Sequence, residues 1–209
     1  MVSEKLNVRI KFKKTGKLKF ISHLDLNRTV TTALVRAKIP AEYSDGFNPR
    51  PKITFALPLP IGTESVCEFL DIKLVRTMGF EMMKLDFNAA VTEELEAEDI
   101  YEPETKLNEI GFSEYAMAFE NGADIKKIEA GSPLLITKKS KQGEKTVDIR
   151  PLIKRYEYDA ECKRLNILLS AEENRYVSPE HAAKELCAGG GYTIIRTNIY
   201  MRDGITVFR

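Results

Sequence analysis

Residues 20–62 constrain the fold most. Three segments rich in proline, glycine, histidine, aspartate and arginine lie in this stretch, and one helix separates the first from the second. The segments read F-I-S-H-L-D-L, Y-S-D-G-F-N-P-R-P-K and F-A-L-P-L-P-I-G. Ser22 is a typical helix N-cap residue, and Asp25 can complete a capping box with it. The apolar spacing from Leu26 to Ala37 predicts a helix that ends near Pro40. Segments so rich in proline, glycine and charge are more typical of a functional surface than of a core.

Alternating and helical spacings predict the surrounding elements. The first strand is expected to bury residues 8, 10 and 12 and to present Arg9 on a basic outer face, and residues 18–20 are expected to continue the alternation. Residues 53–59 contain prolines that cannot donate to a sheet, which predicts an edge strand. A helix that begins near Gly79 is expected to bury Met82, Met83, Leu85, Phe87 and Ala90.

The order of these elements indicates the fold class. The first half reads strand, helix, strand, strand, helix, strand, and the second half repeats the theme with a turn at residues 141–143. We therefore expect an α+β protein made of two tandem ferredoxin-like (split βαβ) modules with antiparallel sheets. Residues 1–104 form the predicted N-terminal domain, which carries the candidate site, and residues 105–209 form the predicted C-terminal domain.

The charge of the chain is unevenly distributed. Residues 1–60 carry 12 Lys or Arg against 4 Asp or Glu, whereas residues 61–130 carry 6 against 17. Such asymmetry is typical of a protein that meets an anionic ligand on one side and a protein partner on another. The alternative is that the basic and acidic faces complement each other within the fold.

Composition argues against several classes of protein. The three cysteines, Cys67, Cys162 and Cys187, are far apart and form no C-x-x-C motif, so we expect buried reduced thiols. With only two histidines, no metal site and no cofactor is expected. No apolar run approaches the roughly 18 residues that cross a bilayer, and the N-terminus lacks a signal-peptide core, which predicts a cytoplasmic protein without membrane contact.

The three motifs within residues 20–62, followed by D-I-R-P at residues 148–151, resemble the radical-SAM-linked (radical SAM-associated) family of unknown function. The resemblance implies a companion, or a C-terminal extension, of a B12-binding radical SAM protein. One position departs from the family pattern: Arg50 stands where the N-P-H-P version has a histidine. This arginine favours anion contact or a structural role there over metal binding or proton transfer.

The candidate site residues combine cations with aromatic rings. His23, in the first turn of a helix, is either a neutral base or substrate contact, or a structural hydrogen-bonding residue. Arg28 and Arg36 share an exposed helix face. Mixed cations and aromatic rings are typical of single-stranded RNA binding, and they occur together in the loop that contains Tyr43, Phe47, Asn48, Arg50 and Lys52. A secondary candidate is the pair Asp148 and Arg150, which is either structural or a second contact.

These observations leave three hypotheses open. The first is a non-catalytic accessory protein of a radical SAM enzyme, which binds RNA or another anionic substrate. The second is a metal-independent RNA-processing endoribonuclease that uses His23 as general base. The third is a pure protein-assembly module, whose acidic segment 81–104 docks a partner.

Overall fold

In the computed structural model, which describes residues 6–140 and 143–209, the chain is a mixed α/β protein with two units. The first unit ends at Leu107 and also includes Arg209, and the second unit comprises Asn108–Phe208. Each unit has its own apolar core. None of the helices formed by the described residues is long and apolar enough to cross a membrane.

The first unit packs two helices on an antiparallel sheet. Its strand order is β4-β1-β3-β2, and each neighbouring pair is antiparallel. The core lies between the sheet and the apolar faces of the helices. The elements, in chain order, are β1 (Leu6–Lys14), α1 (His23–Arg36), β2 (Ile53–Phe55), β3 (Glu64–Leu74), α2 (Phe80–Ala89) and β4 (Ala97–Tyr101).

The second unit contains a four-stranded antiparallel sheet and a separate hairpin. Its elements are β5 (Ile110–Phe119), α3 (Lys126–Glu129), β6 (Leu135–Ser140), β7 (Gly143–Asp148), β8 (Ile153–Asp159), β9 (Arg164–Ser170), α4 (Pro179–Leu186) and β10 (Tyr192–Met201). The sheet order is β10-β5-β9-β8, and β6 pairs with β7. Of the turn predicted at residues 141–143, residues 141 and 142 lie outside the described residues.

The predicted start of α1 is confirmed. Ser22 is the N-cap: its Oγ accepts a hydrogen bond from the Asp25 amide at 3.1 Å and donates one to the Asp25 carboxylate at 2.7 Å. The predicted apolar stripe is buried, including Leu26, Val30 and Leu34. The helix ends at Arg36, a few residues before Pro40. A side-chain cap of this kind typically contributes about 1 kcal/mol.

Arg9 does not lie on a basic outer face, and that prediction is wrong. Its side chain is 0% exposed. Nε and one terminal nitrogen donate to the two Asp71 carboxylate oxygens at 2.6 and 2.8 Å, and the other nitrogen donates to the Thr105 hydroxyl and the Arg209 carbonyl. A bidentate partner on β3 compensates the desolvation of the guanidinium, which residue alternation alone does not reveal.

Two smaller expectations are also wrong, and one strand was missed. Residues Gly16–Phe20 form a 3-10 helix instead of continuing β1, which leaves the Phe20 ring 64% exposed. In α2, Met82 and Leu85 are exposed, because the helix meets the core through Met83 and Phe87. Strand β8 was not predicted, since most of its side chains are exposed and it lacks an apolar alternation.

Candidate functional site

The 43–52 loop is held at its base by backbone hydrogen bonds. Tyr43 pairs with Pro51 as an isolated antiparallel bridge, and the Lys52 amide donates to the Glu42 carbonyl at 2.7 Å. The Ser44 amide donates to the Arg50 carbonyl at 2.8 Å, while the Arg50 amide donates to Ser44 Oγ at 3.0 Å. The loop is therefore a short ordered arm whose base is closed by paired residues.

The tip of this loop presents an aromatic ring and cations to solvent. Phe47 is fully exposed, and Tyr43 is 42% exposed. Asn48 and Arg50 are exposed as well, and Arg50 has no ion-pair partner within residues 6–140 and 143–209. A phenylalanine that buries none of its ring gains nothing from the hydrophobic effect in the isolated chain. Such a ring is available to a ligand.

Lys52 is already engaged. Its Nζ lies 2.9 Å from Glu42 Oε1, and this hydrogen bond raises the pKa of the Lys52 ammonium. Because the Lys52 side chain is 42% exposed, solvent screens its attraction to Glu42. Lys52 is therefore a cation at the base of the loop, where a bound phosphate would compete with Glu42 for its ammonium group.

His23 contacts Phe55 and lies far from Arg36. It is the first residue of α1, it is exposed, and its ring stands edge-on to Phe55 of β2 with centroids 5.1 Å apart. The ring makes no hydrogen bond to any residue in the described part of the chain. At 1.5 Å per residue, α1 separates His23 from Arg36 by about 20 Å. His23 and Arg36 therefore lie at opposite ends of the helix.

Arg28 and Arg36 line a groove between α1 and α2, which we call the helix groove. A cavity of about 300 Å³ is lined by Arg28, Thr32, Arg36 and Ala90. A cavity of about 650 Å³ shares Arg36 and Ala90 with the first and is also lined by Lys38, Arg76, Met78 and Asp86. The sequence analysis did not single out Lys38 or Arg76. Lys38 lies two residues after Arg36, whereas Arg76 meets Arg36 only through the packing of β3 and α2 beside α1.

Asp148 and Arg150 are engaged within the second unit. Asp148 Oδ1 accepts hydrogen bonds from the amides of Leu134 at 2.9 Å and Arg150 at 3.0 Å. The Arg150 guanidinium donates to the Ile128 carbonyl. These contacts fasten the end of β7 to the segment before β6 and to α3, so they account for the pair without a ligand.

The charge asymmetry is partly neutralised inside the first unit. Lys11 of β1 lies 2.7 Å from Glu98 within β4, and Lys13 lies 3.1 Å from Glu96, the residue just before β4. Strands β1 and β4 are neighbours in the sheet, which brings the basic and acidic segments together. For these residues, complementarity within the fold explains the pattern.

The cysteines and the acidic side chains do not form a metal centre in the part of the chain that the structure describes. Cys67 is buried, as expected, but Cys162 is exposed and Cys187 is half-buried, so the prediction of three buried thiols is wrong. A hydrogen bond to Asp159 raises the pKa of the Cys162 thiol, which keeps it protonated and weakly reactive at neutral pH.

The match to a known family covers most of the chain. The model of the family described as "Uncharacterized protein conserved in bacteria (DUF2344)" matches residues 7–179. The chain belongs to this family. The DUF2344 match includes the 43–52 loop, the helix groove, His23, Asp148 and Arg150. No curated protein matched the chain.

Proposed function

We propose that this DUF2344 protein is a non-catalytic accessory protein of a radical SAM enzyme, and that its 43–52 loop binds single-stranded RNA. The partner enzyme is inferred from the resemblance of the motifs in residues 20–62 and 148–151. RNA binding is inferred from the loop itself. The full exposure of the Phe47 ring beside Arg50 is the observation that supports it most strongly.

The chemistry of the loop suits unpaired bases better than a folded duplex. A base stacks on an exposed ring for about 1–3 kcal/mol, while a nearby arginine reaches the phosphate. Phe47 and Tyr43 supply rings, and Arg50 supplies a guanidinium without an ion-pair partner among the described residues. Because backbone hydrogen bonds hold the base of the loop, binding costs less conformational entropy than ordering a free loop.

The surroundings of His23 support a binding role over general-base catalysis. A general base is normally oriented by a hydrogen bond from a third group. The nearest carboxylate in sequence, Asp25, accepts from Ser22 Oγ and lies 3.4 Å from Arg28. The His23 ring instead makes a T-shaped contact with the Phe55 ring. Contact with a substrate group is the role that this environment favours.

We also propose that both units are ferredoxin-like modules. In the first unit the strands, counted along the chain, lie in the order 4-1-3-2. In the second unit, β10-β5-β9-β8 has the same order once the β6–β7 hairpin is treated as an insertion. This shared order supports the tandem arrangement, and sheets of this kind serve as RNA platforms in other proteins, although fold alone does not assign function.

The test is a titration of labelled single-stranded RNA with the full chain at several salt concentrations. We expect the logarithm of the binding constant to fall linearly with the logarithm of the salt concentration, because phosphate contacts release counterions. Phe47→Ala should weaken it about tenfold. Phe20→Ala, which truncates another exposed ring in the same unit, is the matched control and should leave affinity unchanged. No RNA binding at low salt, or equal losses in both variants, would contradict the proposal.

The partner is tested separately, by affinity capture from native lysate with and without nuclease. A radical SAM enzyme should be recovered in both arms if the contact is between proteins. Recovery only without nuclease would show that RNA bridges the two. Absence of such an enzyme from both arms would remove this part of the proposal.

A further inference from the structure

We infer that the helix groove is a second anion site, which binds a phosphorylated ligand of nucleotide size. This inference does not rest on RNA binding by the 43–52 loop. The groove combines three cationic side chains from different elements, Arg36 in α1, Lys38 after it and Arg76 after β3. The single carboxylate that lines it is Asp86 of α2.

The positive charge of the groove exceeds its negative charge. Arg36, Lys38 and Arg76 make no ion pair within residues 6–140 and 143–209, in contrast to the paired lysines of β1. A cleft whose lining carries a net positive charge attracts an anion. The last turn of α1 favours one cation through the helix dipole, which accounts for Arg36 but not for Lys38 or Arg76.

The size and the walls of the groove favour a ligand with an apolar body. Its larger cavity, of about 650 Å³, lies within the range of roughly 300–1,000 Å³ that is typical of small-molecule sites. Met78, Ala37 and Ala90 supply apolar wall beside the cations. The smaller cavity continues the groove along α1 toward Arg28. A phosphate held by the cations would leave the remainder of a nucleotide against this wall.

The test compares five probes by calorimetry at low salt: pyrophosphate, a nucleoside triphosphate, the corresponding nucleoside, and two short RNAs that differ only in carrying a 5′-phosphate or a 5′-hydroxyl. We expect the phosphorylated probes to bind and the nucleoside not to bind. Preference for the free nucleotide over 5′-phosphorylated RNA would identify a small-molecule site, and the reverse would identify an RNA end. Absence of binding by every phosphorylated probe would overturn the inference.

Charge variants identify the place of binding. Arg36→Gln and Arg76→Gln should each weaken the nucleotide about tenfold, because each removes a charge-assisted hydrogen bond. Asp86→Asn should tighten it, since it removes the one opposing charge. Lys73→Gln, on the exposed side of β3 and outside the groove, is the control. Equal losses in Arg76→Gln and Lys73→Gln would overturn the inference, because they indicate non-specific attraction. Phe47→Ala should leave nucleotide affinity unchanged, so the loop and the groove can fail independently.

Discussion

Two charged, proline-containing segments, residues 43–52 and residues 148–151, differ in how their polar groups are satisfied. In the second, the side chains of Asp148 and Arg150 form hydrogen bonds with backbone groups of the same unit. In the first, the backbone is paired at the base while Phe47 and Arg50 face solvent. A motif whose side chains are used internally stabilises the fold, and one whose side chains stay unused is available to a ligand.

The largest effect is expected at a third place, where a buried cation also has its hydrogen bonds satisfied within the fold. Asp71→Ala removes the bidentate carboxylate that faces the buried Arg9 guanidinium, which should lower the free energy of unfolding by about 3–5 kcal/mol. Urea denaturation measures the loss. Glu98→Ala, which breaks the exposed pair with Lys11, is the control and should cost less than about 1 kcal/mol. Equal costs would show that burial does not govern these pairs.

A second substitution acts on the internally satisfied motif. Asp148→Ala deprives the amides of Leu134 and Arg150 of their acceptor and should cost about 1–3 kcal/mol of stability. Asp148→Asn retains the Oδ1 acceptor and should cost less. Neither change should alter RNA affinity. A loss of RNA affinity without a loss of stability would show that this segment contacts RNA, and would contradict its assignment as structural.

The exposed motif should respond in the opposite way. Phe47→Ala and Arg50→Gln remove side chains that are fully or largely exposed, so unfolding free energy should change by less than about 0.5 kcal/mol. Thermal and urea unfolding check this. A loss above about 1 kcal/mol in either variant would mean that the loop side chains pack in the folded protein.

The smallest effect at neutral pH is expected for Tyr101→Phe. The Tyr101 hydroxyl is buried and has no hydrogen-bond partner among the described residues, so its removal should cost little. Burial raises the pKa of this hydroxyl to about 12, from an ordinary value of 10.0. Because the unfolded chain ionises first, the hydroxyl's contribution to stability is present below pH 10 and is lost as the pH rises toward 12.

That pH dependence can be isolated by comparing the two proteins. Urea midpoints measured from pH 9 to pH 11 should fall more steeply for the wild type than for Tyr101→Phe, in which this titration is absent. Parallel profiles would indicate that the hydroxyl reaches solvent in the folded protein. The other tyrosines titrate in both proteins and cancel in the difference.

Local features of the fold could be predicted from the sequence. The Ser22 cap and the apolar stripe of α1 depend on neighbours three or four residues away, so spacing reveals them. The position of Arg9 could not be predicted, because its partner Asp71 is 62 residues distant in the chain. Strand β8 has too few buried side chains to produce an apolar pattern.

Within the candidate site, too, the features that depend on neighbouring residues could be predicted, and those that depend on tertiary packing could not. The cations and rings of residues 43–52 could be predicted, since turn-forming residues place them on a surface loop. The helix groove could not, because Arg76 and Asp86 join Arg36 only when α1, β3 and α2 pack together. His23 was grouped with the arginines by proximity in sequence, whereas the length of α1 separates it from Arg36.

The most direct test of the central claim is photo-crosslinking of thiouridine-containing single-stranded RNA to the full chain, with crosslinks mapped by mass spectrometry. The tryptic peptide of residues 39–52 contains Tyr43 and Phe47, because the Arg50–Pro51 bond resists cleavage. We predict that this peptide carries the main crosslink and that Phe47→Ala reduces it. Crosslinks confined to residues 143–164, which include the contrasting 148–151 segment, with none in the 43–52 loop, would contradict the account.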